Sequence, residues 1–86
     1  MNDHKKNLLH RLKIAHGHLE KVISMVEKDE YCLDVIQQTQ AVESSLEKVS
    51  ELILENHLKT CAADAIRQGR QEQAITEVMN VFKKHH

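Results

Sequence analysis

Two cysteines and one histidine are the residues of this 86-residue sequence whose types and spacing could bind a metal ion: Cys32, His57 and Cys61. Two thiolates with one imidazole form a soft donor set, which favours copper(I), zinc or an iron–sulfur cluster over hard cations. Three donors without an evident fourth suit trigonal copper(I), because a structural zinc site usually has four ligands. In the alternative interpretation, both cysteines are small buried apolar residues and His57 lies at the surface. Composition alone leaves both interpretations open.

The spacing of these residues predicts how they could meet. His57 and Cys61 are four residues apart, so on one helix they share a face and can bind the same ion. The chain has no proline, and residues 33–66 contain no glycine, so one uninterrupted helix is predicted there. Cys32 lies about 37 Å from His57 along a straight helix and cannot reach it within one chain. An antiparallel pair of chains could bring Cys32 of one chain to His57 and Cys61 of the other.

Apolar residues recur at alternating steps of three and four, the pattern of helices that pack along their length against other helices. The polar residues 27–30 interrupt the pattern, so Cys32 lies near the start of a second helix, and Gly69 is suited to end it. We therefore predict an all-α chain of three helices and a single domain over residues 1–86. The recurring residues are Leu8, Leu12, Ala15, Leu19, Val22 and Val26, then Val35, Thr39, Val42, Leu46, Val49, Ile53 and Asn56, then Ala74, Ile75, Val78, Met79 and Phe82.

The predicted helix lengths indicate an oligomer. A second helix of about 34 residues is about 50 Å long, whereas the first helix offers only about 24 residues to cover it. One flank of the second helix must then pack against another subunit. A chain of 86 residues also has a marginal core when it stands alone. Both points predict an antiparallel helical-bundle dimer.

The overall charge gives no sign of nucleic-acid binding, because the formal net charge is −1. DNA binding would therefore require a local basic patch. No apolar run approaches the roughly 20 residues of a membrane span, and no secretory signal is evident. Two cysteines without an export signal favour a reducing cytoplasm, where thiols stay free.

Three further histidines, His10, His16 and His18, lie on the first predicted helix. Only His10 and His18 approach a common face of that helix, so the indication of a second metal site is weak. We expect all three histidines at solvated positions.

Three stretches resemble the copper-sensing operon repressor (CsoR) family: Tyr31-Cys32, residues 38–42 (QTQAV) and residues 54–61 (LENHLKTC). The resemblance extends over roughly residues 7–82. It implies that the cysteine, histidine and cysteine identified above bind copper(I) across a dimer interface. It also implies a DNA-binding repressor whose dimers assemble into tetramers and which releases its operator when the metal binds.

Tyr31 and Glu77 match positions at which copper-sensing members of that family carry a tyrosine and a glutamate beside the metal ligands. Such outer groups commonly hold ligating side chains in place. His57 separates this chain from persulfide-sensing relatives, which keep both cysteines but lack the histidine. Without the resemblance, Tyr31 could simply pack, and Glu77 could be one of many solvated acids.

The resemblance also indicates which basic side chains would contact DNA. Arg11 falls on the family's basic position in the first helix, and Lys48 approximates a basic position in the second. Lys13 and Lys83 are further candidates for phosphate contacts, which carry most of the affinity for DNA. The family's arginine-rich stretch is altered here to residues 11–18 (RLKIAHGH), which lowers the positive charge. Without the resemblance, scattered lysines would indicate a solvated face.

These observations together predict a cytoplasmic copper(I)-responsive transcriptional repressor that binds operator DNA when metal-free and releases it when copper binds. One alternative keeps the fold and uses Cys32 and Cys61 to sense persulfide or oxidation. Another is a copper-binding protein without a DNA function. An enzyme is not predicted, because the sequence has no evident pair of nucleophile and base.

Overall fold

The computed structural model describes residues 3–85, and the side chains of residues 3–83. Helices account for nearly all of these residues, and no β-strand occurs among them, so the all-α prediction is confirmed. The helices are α1 (Asp3–Glu27), α2 (Cys32–His57), a π-helical segment (Leu58–Ala62), α3 (Ala63–Arg67) and α4 (Gln71–His85).

The chain contains two compact units, Met1–Ile53 and Leu54–His86. The first holds α1 and most of α2, and the second holds the end of α2, the π-helical segment, α3 and α4. The single domain predicted over residues 1–86 remains a prediction.

The core of the first unit is a narrow aliphatic seam. Ala15, Val22 and Met25 of α1 and Val42 and Val49 of α2 are buried. Ala15 and Val22 are seven residues apart, as are Val42 and Val49, so each pair lies on one helix face. Four of these five residues belong to the predicted repeat, which therefore identified the buried faces correctly.

A polar contact between α1 and α2 accompanies this seam. His18 Nε2 and Gln38 Oε1 are 2.7 Å apart, and both residues are half-buried. The expectation of a solvated His18 is therefore wrong, whereas His10 and His16 are exposed as expected. His18 follows Ala15 by three residues, so it lies on the buried face of α1.

The helix α1 ends at a left-handed residue that is not glycine. Asp29 has a φ of 54°. Its N–H donates to the Val26 carbonyl at 3.1 Å, and the N–H of Glu30 donates to the Met25 carbonyl at 3.0 Å. These two hydrogen bonds form a Schellman motif, which satisfies carbonyls that the helix end leaves without partners. Aspartate tolerates this conformation better than most residues but less well than glycine.

The same motif ends α3 with a glycine. Gly69 has a φ of 79°, its N–H donates to the Ile66 carbonyl at 3.0 Å, and the N–H of Arg70 donates to the Ala65 carbonyl at 2.7 Å. The predicted helix stop at Gly69 is confirmed. The helix α4 begins directly after this turn. Among the described residues of the second unit, Ala62 and Ala74 are the buried ones.

The long second helical segment is continuous along the sequence, but its hydrogen bonding is not uniform. Helical structure extends from Cys32 to Arg67, close to the predicted bounds, yet residues 58–62 are π-helical. A π-helix bonds each N–H to the carbonyl five residues earlier instead of four. The Thr60 hydroxyl donates to the Asn56 carbonyl at 2.8 Å. It therefore competes with the backbone N–H groups of the helix for this carbonyl. Residue patterns do not reveal such a local change in hydrogen bonding.

Replacing Asp29 with glycine is expected to stabilise the protein by about 0.5–1 kcal/mol, because glycine adopts positive φ without a steric penalty. Urea denaturation at a fixed protein concentration measures the change. The matched control is Lys28→Gly, one residue earlier and outside the positive-φ region, which should lower stability because glycine gains freedom in the unfolded chain. A loss of stability in Asp29→Gly equal to that of the control would contradict the conclusion that Asp29 occupies a position that favours glycine.

Candidate metal centre

Two of the three predicted ligands lie on one wall of a cleft in the second unit. His57 is the last residue of α2, and Cys61 lies in the π-helical segment. Four residues make slightly less than one turn of a π-helix, so the two side chains still project to the same side. Both line a cleft of about 170 Å³. His57 is half-buried and Cys61 is exposed with a free thiol, so both donors are accessible to an ion.

The opposite wall of this cleft is formed by α4 and the turn before it. Glu77, predicted from the resemblance, lines the same cleft as His57 and Cys61. The Gln73 amide donates to Glu77 Oε1 at 3.3 Å, which orients the carboxylate. Arg70 and Gln73 complete the polar lining. The fold thus brings together three residues that the sequence analysis selected, across a separation of up to 20 positions.

The Cys61 thiol has a hydroxyl neighbour that the sequence analysis missed. Thr60 Oγ1 lies 3.7 Å from Cys61 Sγ while it donates its proton to the Asn56 carbonyl. The hydroxyl is also placed to donate to the sulfur instead, and this contact would favour the thiolate that metal binding requires.

The sequence analysis also did not predict Arg70 and Gln73, although their spacing along the chain indicates them. Together with Ala74 and Glu77 they stand at i, i+3, i+4 and i+7, the spacing of one helix face. Because Glu77 is a candidate, its neighbours on the same face of α4 are candidates too.

Cys32 and Tyr31 lie in the first unit. Cys32 is the first residue of α2, and the Tyr31 carbonyl accepts hydrogen bonds from the N–H groups of Asp34 and Val35 at 3.0 and 3.2 Å. Both residues are exposed, and the Cys32 thiol is free. The interpretation of the cysteines as buried apolar residues is therefore wrong for the single chain.

The described part of one chain does not assemble a complete metal site. Within it, no group of three or more His, Cys, Asp or Glu side chains could hold an ion. His57 and Cys61 form a soft donor pair beside an open cleft, so their chemistry fits copper(I) if one further thiolate is supplied. The described residues around this cleft do not supply a third ligand for the pair.

The candidate DNA contacts are distributed over both units. Arg11 is half-buried, and its Nε donates to Asn7 Oδ1 at 3.3 Å. Lys13 and Lys48 are exposed in the first unit, and Lys83 is exposed on α4. Arg11 and Lys13 are two residues apart, which is about 200° around a helix, so they project to different sides of α1.

Among the residues that the structure describes, no helix is long and apolar enough to cross a membrane.

Comparison with known proteins identifies the class. The family model of metal-sensitive transcriptional repressors matches residues 4–84. The copper-sensing transcriptional repressor CsoR of Mycobacterium ulcerans is 46% identical over 83 residues, which are 96% of this chain and 71% of that protein. The chain therefore belongs to the family of metal-sensitive transcriptional repressors, and it is not an enzyme.

Solved structures agree with this assignment. The crystal structure of the copper-sensing repressor CsoR with Cu(I) from Geobacillus thermodenitrificans matches with a TM-score of 0.91 at 36% identity, covering 99% of this chain and 88% of that one. The nickel-responsive transcriptional regulator InrS matches with a TM-score of 0.77 at 32% identity, covering 92% and 89%. The fold and the family are therefore those that the sequence predicted.

Proposed function

We propose that this protein is a copper(I)-responsive transcriptional repressor, which binds operator DNA when metal-free and releases it when copper(I) binds. The observation that carries the proposal is the cleft in which His57, Cys61 and Glu77 meet, in a chain with 46% identity to a copper-sensing repressor. Its place of action is the cytoplasm, where operator DNA is accessible and thiols stay reduced.

The copper site is built from two chains. His57 and Cys61 of one chain and Cys32 of another supply one imidazole and two thiolates, a set suited to three-coordinate copper(I). Glu77 would accept the remaining N–H of the His57 ring, which fixes the ring's tautomer and orientation. Tyr31, the neighbour of Cys32 in the sequence, would hold the Cys32 thiolate in place. Copper(I) supplies a soft ion that ties the two chains together at this point.

The assembly is an antiparallel dimer that associates further into a tetramer. Large apolar side chains on the same helices as the buried seam remain exposed in the single chain: Leu12 is 40% exposed, Leu46 44% and Ile53 48%. Large apolar side chains that remain exposed along a pair of helices are typical of a subunit interface. Residues 1–86 thus act as one metal-sensing and DNA-binding domain within an oligomer.

DNA binding relies on Arg11, Lys13, Lys48 and Lys83 as phosphate contacts. The net charge of −1 provides no general attraction to DNA, so these local charges supply the electrostatic part of the affinity. Copper(I) and operator must weaken each other's binding by the same factor, typically equivalent to about 1–3 kcal/mol.

Light scattering at micromolar concentration is expected to give a dimer or tetramer instead of a monomer of 9.9 kDa. The exposed aliphatic residues explain why, since a lone hairpin would leave them in water. A helical monomer under these conditions would contradict the assembly.

A complementation experiment tests whether the copper site is shared between chains. Cys32→Ala and Cys61→Ala should each lose tight copper(I) binding when pure. When equal amounts are mixed and allowed to exchange subunits, a mixed dimer regains one intact site, so about a quarter of the wild-type sites should return. Competition with a copper(I) chelator counts them. If tight binding does not return although subunit exchange is demonstrated, the ligands do not come from two chains.

Sensing and DNA binding should separate in two variants. His57→Ala should bind the operator normally when metal-free but release it poorly with copper(I), because the imidazole links the ion to α2. Arg11→Ala should keep its copper(I) affinity while its operator affinity falls, and the plot of log affinity against log salt should flatten by about 1 per lost phosphate contact.

The control for Arg11→Ala is Lys59→Ala, which removes an exposed lysine paired with Glu55 at 2.8 Å in the other unit. Its salt dependence should match that of the wild type. Operator binding by Arg11→Ala that equals wild type at every salt concentration would remove Arg11 from the DNA surface. Release by nickel(II) and not by copper(I) would reassign the metal.

A further inference from the structure

Arg70 is the basic residue among those that line the metal cleft. It is the last residue of the turn between α3 and α4: its N–H donates to the Ala65 carbonyl at 2.7 Å, and its carbonyl accepts the N–H of Ala74 at 3.1 Å. Its Nη2 donates to Gln68 Oε1 at 2.6 Å. The backbone of Arg70 is thus held on both sides, and its positive charge lies beside the cleft that His57 and Cys61 also line.

The proposed ligand set distinguishes metal ions by net charge. Two thiolates and a neutral imidazole carry two negative charges, so a complex with copper(I) has a net charge of −1. The same ligands around a divalent ion such as zinc(II) give a neutral complex. Metal binding releases the two thiol protons. Relative to the neutral metal-free site, a nearby positive charge therefore stabilises the anionic copper(I) complex and leaves the neutral zinc(II) complex almost unaffected.

Arg70 also offsets the negative charge of the acid that lines the cleft. Arg70 is the single lysine or arginine among the residues that line the cleft, and Glu77 is the single acid. Glu77 alone would repel an anionic complex, and Arg70 offsets it.

We propose that Arg70 is a charge-compensating residue that makes this site selective for a monovalent ion over divalent ions. The inference rests on the proposed function, since it takes His57 and Cys61 as ligands. It concerns a residue that touches neither the ion nor DNA.

The test compares copper(I) and zinc(II) affinities of the purified metal-free oligomer by chelator competition, without oxygen. We expect Arg70→Gln to weaken copper(I) binding by about three- to tenfold at low ionic strength and to change zinc(II) binding by less than about twofold, as expected for one charge at a partly solvated site. Arg70→Lys, which keeps the charge, should retain most of the copper(I) affinity.

Arg67→Gln is the matched control. Arg67 is exposed on α3 three residues earlier, pairs with Asp64, and is not among the residues that line the cleft. It removes the same charge from the same region, so it should change both affinities by less than about twofold. Equal losses of copper(I) affinity in Arg70→Gln and Arg67→Gln, or equal losses for both metals in Arg70→Gln, would overturn the proposal.

Salt dependence provides a second measurement of the same charge effect. Raising the ionic strength with sodium sulfate, chosen because chloride binds copper(I), should shrink the difference in copper(I) affinity between wild type and Arg70→Gln, because screening weakens the contribution of the guanidinium. A difference that does not change with salt would count against Arg70. Undiminished copper(I) binding in Cys61→Ala would instead overturn the ligand assignment of the proposed function, which separates the two failures.

Discussion

The site depends on the helical backbone remaining continuous from His57 to Cys61. A helical arrangement places side chains four residues apart close together on one side, and here that arrangement persists although the hydrogen bonding changes from α to π within the segment. π-Helical turns occur often at functional sites. The consequence is a soft donor pair that faces α4 across a cleft instead of facing open solvent. All the other parts of the site are defined relative to this pair.

The Gly69 turn is the second requirement. Because Gly69 adopts a positive φ at low energetic cost, α3 can end and α4 can begin within three residues, which brings Glu77 and Arg70 to the cleft. An acid on α4 and a basic residue in the turn before it thus line the same cleft as the donor pair. The acid suits the orientation of an imidazole, and the base suits the charge of a monovalent complex. Metal sites are commonly tuned by such outer groups as much as by their ligands.

The first unit combines a small core with large exposed aliphatic side chains. Its seam buries residues no larger than Met25, and the half-buried contact between His18 and Gln38 adds a specific polar link between α1 and α2. A hairpin of this kind gains stability by burying its remaining apolar surface against another chain. In the proposed dimer, the same association that completes the core would deliver Cys32 to the donor pair of a neighbour, which would make folding, assembly and metal binding depend on one another.

The local features follow from the sequence alone, because they depend on the spacing of neighbouring residues. The pairing of His57 with Cys61, the buried seam through Val42 and Val49, and the stop at Gly69 all depend on helix periodicity or on the backbone freedom of glycine. Tertiary structure decided which distant groups meet. The position of Arg70 in the cleft and the bond between His18 and Gln38 depend on how one helix folds back on another, which spacing along a single helix does not specify. The π-helical turn and the positive φ of Asp29 likewise arise from hydrogen bonds to carbonyls several residues away, and residue types alone do not reveal them.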